Sequence, residues 1–422
     1  MNESSNIGQA EFAAFIGLDW GDQSHAVALR ASGDANVQLL TIKHSPEELW
    51  SWLQKLEKRF GGRPVAVALE TSRGPLIHVL AEVAWLVVYP VHAATSARFR
   101  KAFRPSGAKD DQPDALVLLE LLTRHRDKLR PLAVEDPATR LLGRLCELRR
   151  KTVDRRTQLG NELRAALKEF FPQALELVGE TLHSPLALDF LERWPDLLSL
   201  KMARAATVHT FYFAHNVRRP QTVQQRLELI ARARPLSNDE VVVSVGVRLV
   251  RRLVQEIRVV QKHIVGDDKA IQAAFKEHPD APLFRDLPGA GAALAPRLLA
   301  GFGSDRARYR SATEFQRYSG VAPVKEKSGG RVWVHWRWSA PRFLRQSLVE
   351  WAGQTVLYSP WARNYYDQQK GRGKRHWMIL RALAFKWVRI LWKCWITNEP
   401  YDETRYMQSL IRRKSPLALN AL

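Results

Sequence analysis

Three short apolar segments follow one another near the start of the chain, with too little sequence between them for a helix. Residues 12–19, 25–31 and 37–43 are rich in Ala, Val, Leu and Ile, and the turn sequence SGDA separates the second from the third. Such segments predict three consecutive β-strands. A β-meander at the start of a chain restricts the choice of fold, because the later elements must pack on the sheet that it begins.

Helical and strand patterns alternate after the meander. Ser45, Pro46 and Glu48 form a helix start signal with a capping box, and Gly61 is the stop signal. The alternating elements are this helix over 45–61, a strand over 64–70, a short helix over 73–83, a strand over 84–91 and a helix from Pro113. The order β-β-β-α-β-α-β-α predicts an α/β domain of the RNase H-like (RuvC-like) fold over residues 1–135.

Four acidic residues lie at the ends of these predicted elements. Asp19 ends the first strand, Glu70 ends the fourth, and Asp111 and Asp114 flank the start of the last helix. Strand ends and helix starts meet at the carboxyl edge of such a sheet, where ligands usually bind. Carboxylates that meet there repel one another unless cations neutralise them. Ligands that are all oxygen favour Mg²⁺ or Mn²⁺, so the pattern predicts a metal site.

Capping is the competing interpretation of the acid pair. An Asp-x-x-Asp sequence before an apolar run also caps a helix and complements its dipole. No such role is evident for Glu70, which favours the metal site. The basic residues just before the pair either contact phosphate or form a solvated helix face; those proposed for phosphate are Arg100, Lys101, Arg104 and Lys109.

The charge balance indicates a polyanionic partner. Lys and Arg number 65 and Asp and Glu 43, a formal net charge of +22 in 422 residues, which favours nucleic acid. A membrane surface is the other polyanion, but no apolar run reaches the ~18 residues of a spanning helix, and no signal peptide precedes Phe12. Cys146 and Cys394 are too few for a disulfide framework or a Cys-based zinc site. We therefore expect a cytoplasmic protein without a membrane partner.

Two long amphipathic helices are predicted in the middle of the chain, over about 137–171 and 238–276. Their apolar residues fall near heptad spacing, which predicts a long antiparallel coiled coil or an assembly coiled coil within residues 136–280. The insert between them, about 173–237, is expected to form small helices. The region is either a spacer or dimer arm, or a basic surface for nucleic acid, and the two interpretations are compatible.

The last third, residues 281–422, is predicted to be mostly helical. The sequence LPGAGAALAPRLLAGFG over 287–303 resembles a helix-hairpin-helix. Gly289 and Gly291 open a helix whose first N–H groups can bind DNA phosphate without reading base sequence. Glycine turns between packed helices are common, so the motif is weak evidence by itself.

Ser328 lies in a second glycine turn, in the sequence EKSGGRVWVHWRWS over 326–339. A serine in such a turn usually has only a turn role. Nine of the 14 Trp residues lie between Trp333 and Trp395, some as core residues and others available to stack on unpaired bases. The basic residues proposed to contact phosphate in this third are Lys327, Arg331, Arg372, Lys374 and Arg375.

Five stretches together resemble the DEDD transposase family of bacterial insertion sequences. They are GLDWGDQSHAVAL, LETS, KDDQPDA, LPGAGAALAPRLLAGFG and YSGVAPVKEKSGG, and they span nearly the whole chain, most weakly in the insert. The family joins a RuvC-like N-terminal domain to a C-terminal transposase domain. The resemblance therefore implies a transposase that acts on donor and target DNA.

The resemblance also implies roles for particular residues. Asp19, Glu70, Asp111 and Asp114 would hold the metal, and Ser328 would attack DNA to form a phosphoserine intermediate. It further implies a dimer or tetramer in which the two domains meet from different protomers. A structured noncoding RNA, a bridge RNA, would pair with donor and target DNA and supply the sequence choice.

Two other functions are compatible with the residues taken alone. A RuvC-like junction-resolving endonuclease would use the same acids with water as the nucleophile. A non-enzymatic RNA- or DNA-binding protein would use the acids only as helix caps.

Overall fold

The computed structural model describes residues 12–70, 74–103, 111–337 and 340–417, without the side chains of residues 75, 78, 103 and 111–113. The chain forms two compact units, one that ends at Val134 and one that begins at Glu135. Each unit is described separately below.

The first unit is built on a mixed five-stranded sheet. Its strands are β1 (Ala14–Asp19), β2 (Ser24–Ala31), β3 (Gln38–Lys43), β4 (Val65–Leu69) and β5 (Leu86–Pro90). The spatial order is β3-β2-β1-β4-β5. The meander strands β1, β2 and β3 pair antiparallel, whereas β4 and β5 extend the sheet in parallel from β1. The predicted strands are confirmed, and the topology is consistent with the RNase H-like fold.

The helices of the first unit include one that the sequence analysis did not predict. They are α1 (Pro46–Phe60), α2 (Pro75–Glu82), α3 (Ala93–Phe103) and α4 (Asp111–His125), and a short 3-10 helix follows over Arg126–Lys128. The Ser45 hydroxyl caps α1 by accepting a hydrogen bond from the Glu48 N–H, as predicted. The unpredicted helix is α3, between β5 and α4.

The two faces of the sheet differ in side-chain size. One face presents Ile16, Leu18 and Val67 to the apolar residues of α1 and α2. The other face presents small residues to α4, and at Gly17 the helix lies directly on the strand. A Cβ added at Gly17 would be 2.0 Å from the Ala115 carbonyl oxygen and 2.4 Å from the Leu119 nitrogen. Only glycine therefore allows α4 to lie this close to β1.

Two long helices, α5 (Pro137–Phe170) and α11 (Glu240–Lys276), pack against each other in the second unit. Near the start of α5, Leu142 packs with Phe275, and at its end Phe170 contacts Gly246. The start of one helix therefore lies beside the end of the other, so the pair is antiparallel, as predicted. Supercoiling and a role in assembly stay predictions.

Five shorter helices connect the two long ones. They are α6 (Gln173–Val178), α7 (Pro185–Arg193), α8 (Leu197–Lys201), α9 (Ala205–Ala214) and α10 (Pro220–Arg232). Their aromatic residues, such as Phe190, Trp194 and Tyr212, form a core with the facing sides of α5 and α11. The insert therefore packs on one end of the helix pair.

The rest of the second unit is helical apart from one β-hairpin. Its elements are α12 (Ala281–Arg285), α13 (Gly291–Phe302), a 3-10 helix (Arg306–Arg308), α14 (Ala312–Tyr318), β6 (Val324–Ser328), β7 (Arg331–His335), α15 (Arg342–Tyr358), α16 (Pro360–Gly371), α17 (His376–Thr397) and α18 (Glu403–Arg412). Trp351, Trp361, Trp387 and Trp395 are fully buried, which confirms that several of the tryptophans are core residues. Within the described ranges, no helix is long and apolar enough to cross a membrane.

Candidate active site

Asp19 and Glu70 lie at the same edge of the sheet. Strands β1 and β4 are parallel neighbours whose last paired residues are Leu18 and Leu69. Asp19 and Glu70 each come next, so their carboxylates end adjacent strands. Both residues are half-buried. The carboxyl edge of this sheet therefore holds two of the four predicted acids.

Helix α4 brings its first turn to this same edge. Arg126, just beyond the end of α4, lies over the ring of Phe12, just before β1. The helix therefore runs antiparallel to β1, and its start lies near the carboxyl end of the strand. Asp114 is in this first turn, next to the Ala115 that contacts Gly17. Asp111 is the first residue of α4, and its side chain is outside the described atoms.

Helix α3 contacts two of the acids through one face. The hydroxyl of Ser96, which is buried, donates a hydrogen bond to the Glu70 carboxylate. Arg100, four residues later, forms a 2.7 Å ion pair with Asp114. Residues four apart share a helix face. The same side of α3 therefore positions both Glu70 and Asp114, and sequence reasoning missed the part played by Ser96.

The donor set at this edge suits a divalent cation. Carboxylate oxygens are the preferred ligands of Mg²⁺ and Mn²⁺. In this structure the positive charge of the Arg100 guanidinium balances the negative charge of Asp114. Among the described side chains, no group of three or more His, Cys, Asp or Glu is close enough to hold a metal, and the Asp111 carboxylate is not part of that set.

Two histidines support the turn after Asp19. The Gly21 N–H donates to His25 Nδ1 at 3.3 Å. The His25 Nε2 proton then points to His44 Nδ1, 3.0 Å away. His25 is fully buried, and burial together with His44 lowers its pKa, so the ring is neutral and keeps Nδ1 as an acceptor. These contacts between distant residues were not predicted.

Ser328 lies at the tip of the hairpin formed by β6 and β7, called here the Ser328 hairpin (Val324–His335). Ser328 pairs with Arg331, and the two turn residues, Gly329 and Gly330, have φ values of 54° and 79°. Positive φ at both central residues defines a type I′ turn, which matches the twist of a hairpin. Ser328 is exposed to solvent.

One face of the Ser328 hairpin carries several groups suited to nucleic acid. Directly paired residues point to the same face, so Ser328 shares its face with Arg331, Trp333, Glu326 and His335. Trp333 is 44% exposed. Glu326 and His335 form a 2.7 Å ion pair, and the hydrogen bond from His335 to Glu326 raises the pKa of His335. The aromatic and cationic groups beside Ser328 are therefore accessible from solvent.

Comparison with known proteins connects both regions to one family. Residues 16–172 match a family model for IS110-type DEDD transposases, described as "Transposase", and residues 281–367 match the model "Transposase IS116/IS110/IS902 family". The two matches together cover more than half of the chain. The chain belongs to the DEDD transposase family of IS110-type insertion sequences.

Curated relatives match this transposase over most of their length. It is 27% identical over 412 residues to the proposed transposase of the IS117 mini-circle of Streptomyces coelicolor. This alignment covers 94% of this chain and 97% of the relative. It is 27% identical over 360 residues to an uncharacterised 42 kDa protein of insertion element IS900 of Mycobacterium paratuberculosis, covering 83% and 84%. A DEDD transposase is an enzyme that binds DNA and uses a divalent metal ion.

The two glycines of the helix-hairpin-helix-like motif have different surroundings in the transposase. A Cβ added at Gly289 would be 2.8 Å from Tyr358 and 2.9 Å from Gln354, so Gly289 allows the turn to pack on α15. Gly291 starts α13 with open space around it. Contact of either glycine with phosphate stays a prediction.

The other residues proposed to contact nucleic acid are distributed over both units. Lys101 is exposed on α3, and Lys327 is exposed on the Ser328 hairpin. Arg372, Lys374 and Arg375 are exposed between α16 and α17, and Lys374 Nζ donates to Gln369 at 2.6 Å. Arg104 and Lys109 lie outside the described residues.

Proposed function

We propose that this transposase cuts and rejoins DNA with a Mg²⁺ or Mn²⁺ ion at the carboxyl edge of the sheet and with Ser328 as the nucleophile. The proposed metal ligands are Asp19, Glu70, Asp111 and Asp114. The observation that carries the proposal is that Asp19 and Glu70 end adjacent parallel strands and that α4 begins at the same edge. The antiparallel course of α4 on β1 accounts for this meeting of distant residues.

The acids and their supporting groups have separate tasks in this proposal. When bound, the metal supplies positive charge that lowers the pKa of a hydroxyl and stabilises a leaving oxygen. The hydrogen bond from Ser96 fixes the orientation of the Glu70 carboxylate, which would be one of the metal's ligands. Arg100 neutralises Asp114 in the absence of a metal, and Asp114 would be one of the carboxylates that hold it. The turn held by His25 keeps Asp19 at the strand end.

Ser328 would form the covalent intermediate. Its hydroxyl oxygen attacks phosphorus, a new Oγ–P bond forms, and the bond from phosphorus to the 3′ oxygen breaks. The serine hydroxyl gives its proton to water, and the departing 3′ oxygen takes a proton from water and leaves as a hydroxyl. The phosphoserine ester keeps the bond energy, so a new 3′ hydroxyl can attack it and rejoin the strand without a high-energy cofactor.

The family resemblance supplies the partners in this proposal. The enzyme would act in the cytoplasm as a dimer or tetramer, with the acids of one protomer and Ser328 of another at the same DNA site. A structured noncoding RNA would pair with donor and target DNA. The proposed phosphate contacts are those of Lys101, Arg104, Lys109, Gly289, Gly291, Lys327, Arg331, Arg372, Lys374 and Arg375. Arg100 would join them after a metal displaces it from Asp114.

A covalent adduct tests the nucleophile. The protein is purified together with any RNA expressed from the DNA that flanks its gene, it is incubated with end-labelled donor DNA and Mg²⁺, and the products are separated on a denaturing gel. We expect a labelled protein band for the natural sequence and for Ser244→Ala, which alters an exposed serine on α11. Ser328→Ala should form no such band, and Asp111→Asn should form no band and leave the DNA uncut.

The alternative function is a junction-resolving nuclease. The same gel distinguishes it from a transposase that uses Ser328. A nuclease that uses water would cut branched DNA with Ser328→Ala as fast as with the natural protein, and no protein band would form. That outcome would remove the covalent step and leave the acids as the whole active site.

Nucleic acid that copurifies with the protein tests the guide. The protein is expressed together with the DNA that flanks its gene, and the bound nucleic acid is sequenced. One discrete structured RNA from that flank is the expected result. A mixture of unrelated RNA and DNA would contradict the guide and indicate a transposase that finds its DNA unaided.

A further inference from the structure

Two arginines lie over the ring of one tryptophan at the base of the Ser328 hairpin, and a third arginine follows this tryptophan in the chain. Trp336 follows β7 directly, and the guanidinium carbon of Arg381, on α17, lies 3.6 Å from the centre of its ring. The guanidinium carbon of Arg345, on α15, lies 5.3 Å from the same ring centre. Arg345 also donates a 3.0 Å hydrogen bond to the carbonyl of Arg337. We call Arg337, Arg345 and Arg381 the arginine cluster.

The arginine cluster has no acid to balance it within the described part of the chain. None of its three guanidinium groups forms an ion pair with a described carboxylate. The Nε of Arg337 is buried and has no hydrogen-bond partner among the described residues. The pKa of Arg381 is lowered by burial and by the charge of Arg345. Like charges held together in a half-buried place are unfavourable unless an anion joins them.

Three other half-buried arginines of this unit are neutralised by acids. Arg306 forms an ion pair with Asp280, Arg308 with Glu135 and Arg297 with Glu350. The fold therefore supplies an acid to each of these three arginines. An arginine cluster without acids differs from these pairs, and its free N–H donors indicate a ligand from outside the chain.

We propose that the arginine cluster binds a single backbone phosphodiester of nucleic acid. A phosphodiester has one negative charge and two free oxygens, which match the planar N–H pairs of two guanidinium groups. Stacking on Trp336 holds the guanidinium of Arg381 in place, so little side-chain entropy is lost on binding. The proposal rests on the proposed function only in taking nucleic acid as the ligand.

The bound phosphate is distinct from the one that Ser328 of the same hairpin would attack. Ser328 pairs with Arg331, and Trp336 is five residues further along the chain. Five residues of extended strand span about 17 Å, which is longer than any side chain. The arginine cluster therefore holds the strand at a second point and fixes its direction along the hairpin.

The test is the salt dependence of nucleic-acid binding. Binding is measured by fluorescence anisotropy with a labelled DNA duplex and with an RNA duplex of the same sequence. The salt concentration is varied from about 50 to about 200 mM, a range over which the loss of one phosphate contact changes the salt dependence of the affinity measurably. Arg345→Gln and Arg381→Gln should each weaken binding about tenfold at low salt and lower the salt slope by about one. The double variant should lower the slope no further, because both arginines contact the same phosphate.

Two controls separate a phosphate site from a general effect of charge. Arg285→Gln removes an exposed arginine that pairs with the adjacent Asp286, and it should leave the slope unchanged. Arg381→Lys keeps the charge but loses the planar N–H pair, so it should keep the slope and weaken binding less than Arg381→Gln. If the glutamine variants fail to fold, the weaker binding expected of Arg381→Lys still tests the proposal.

The outcomes are distinguishable. A smaller slope with DNA alone assigns the cluster to DNA, and a smaller slope with RNA alone assigns it to RNA; either supports the proposal. Unchanged slopes with both duplexes, or an equal loss in Arg285→Gln, would overturn it. None of these readings depends on a covalent band, so failure of the serine mechanism would be seen separately.

Discussion

The Ser96 hydroxyl donates a hydrogen bond to the Glu70 carboxylate, although the two residues are 26 positions apart. The bond links α3 to the end of β4. Ser96 is almost fully buried, so no water competes for its hydroxyl. A buried donor that holds a carboxylate at a metal site usually fixes the direction of its oxygens.

Replacing Ser96 by Ala should weaken metal binding without unfolding the protein. Removal of a residue that orients a metal ligand typically costs about 10- to 100-fold in metal affinity. Isothermal titration with Mn²⁺ measures this loss, and thermal unfolding monitored by circular dichroism should change little. Ser244→Ala, at an exposed site on α11, is the control. Equal Mn²⁺ affinity in the two variants would show that Ser96 has only a packing role.

Replacing Arg100 by Gln should have the opposite effect on metal binding. Its guanidinium forms a 2.7 Å ion pair with Asp114, so it competes with a metal for that carboxylate. Loss of a partly exposed ion pair of about 1 kcal/mol corresponds to roughly fivefold tighter Mn²⁺ binding in the absence of DNA. Lys101→Gln removes the same charge one residue away and should change the affinity less. An equal gain in both variants would mean that only net charge matters.

Much of the first unit could be predicted because its signals are local. Apolar strands such as 64–70, and the Ser45 cap of α1, can be identified without knowledge of tertiary contacts. The strand order then places Asp19 and Glu70 at one edge. Helix α3 has the sequence AATSARFRKAF, in which Phe99 and Phe103 are the only large apolar residues, so its periodicity gives no clear signal.

The supporting contacts could not be predicted because each joins distant parts of the chain. Ser96 meets Glu70 only when α3 packs beside β4, and His25 meets His44 only when β2 and β3 pair. Trp336 and Arg381 likewise meet through packing of the hairpin on α17. The candidate acids could be identified from the sequence pattern. The residues that position them could be identified only from the tertiary contacts of the fold.

Replacing Gly17 by Ala should destabilise the first unit and move α4. The new methyl group would be 2.0 Å from a backbone oxygen of α4, which cannot rotate away as a side chain can. We expect a loss of about 1–3 kcal/mol in the free energy of unfolding, together with weaker Mn²⁺ binding. Gly160→Ala, in open space on α5, should instead be neutral or stabilising. Urea unfolding of both variants measures the contrast, and equal stability would contradict the close packing of α4.

Asp136 should make stability depend on pH in the acid range. Burial alone would raise the pKa of its carboxyl, but hydrogen bonds from the Thr139 hydroxyl and from the N–H groups of Ala138 and Thr139 outweigh burial and lower the pKa to about 2. A carboxyl with a lowered folded-state pKa adds stability above its unfolded pKa and loses it as the pH falls through the folded value. The difference in the free energy of unfolding between the natural protein and Asp136→Asn should have its full value at about pH 6. It should disappear as the pH falls from about 4 to about 2. A difference that stays constant in urea unfolding over this range would contradict the assignment.

Two substitutions in the turn at the tip of the Ser328 hairpin separate the effect of backbone conformation from the effect of the reacting side chain. Gly329 has a φ of 54°, which asparagine adopts readily and valine does not. Gly329→Asn should therefore keep the hairpin and the yield of the protein–DNA adduct. Gly329→Val should cost about 1–2 kcal/mol in the turn and lower the adduct yield about tenfold, because an exposed two-stranded hairpin is only marginally stable. The adduct gel for both variants, with circular dichroism to show that the rest of the chain stays folded, measures the difference. Equal yields would mean that Ser328 does not need this turn to reach DNA.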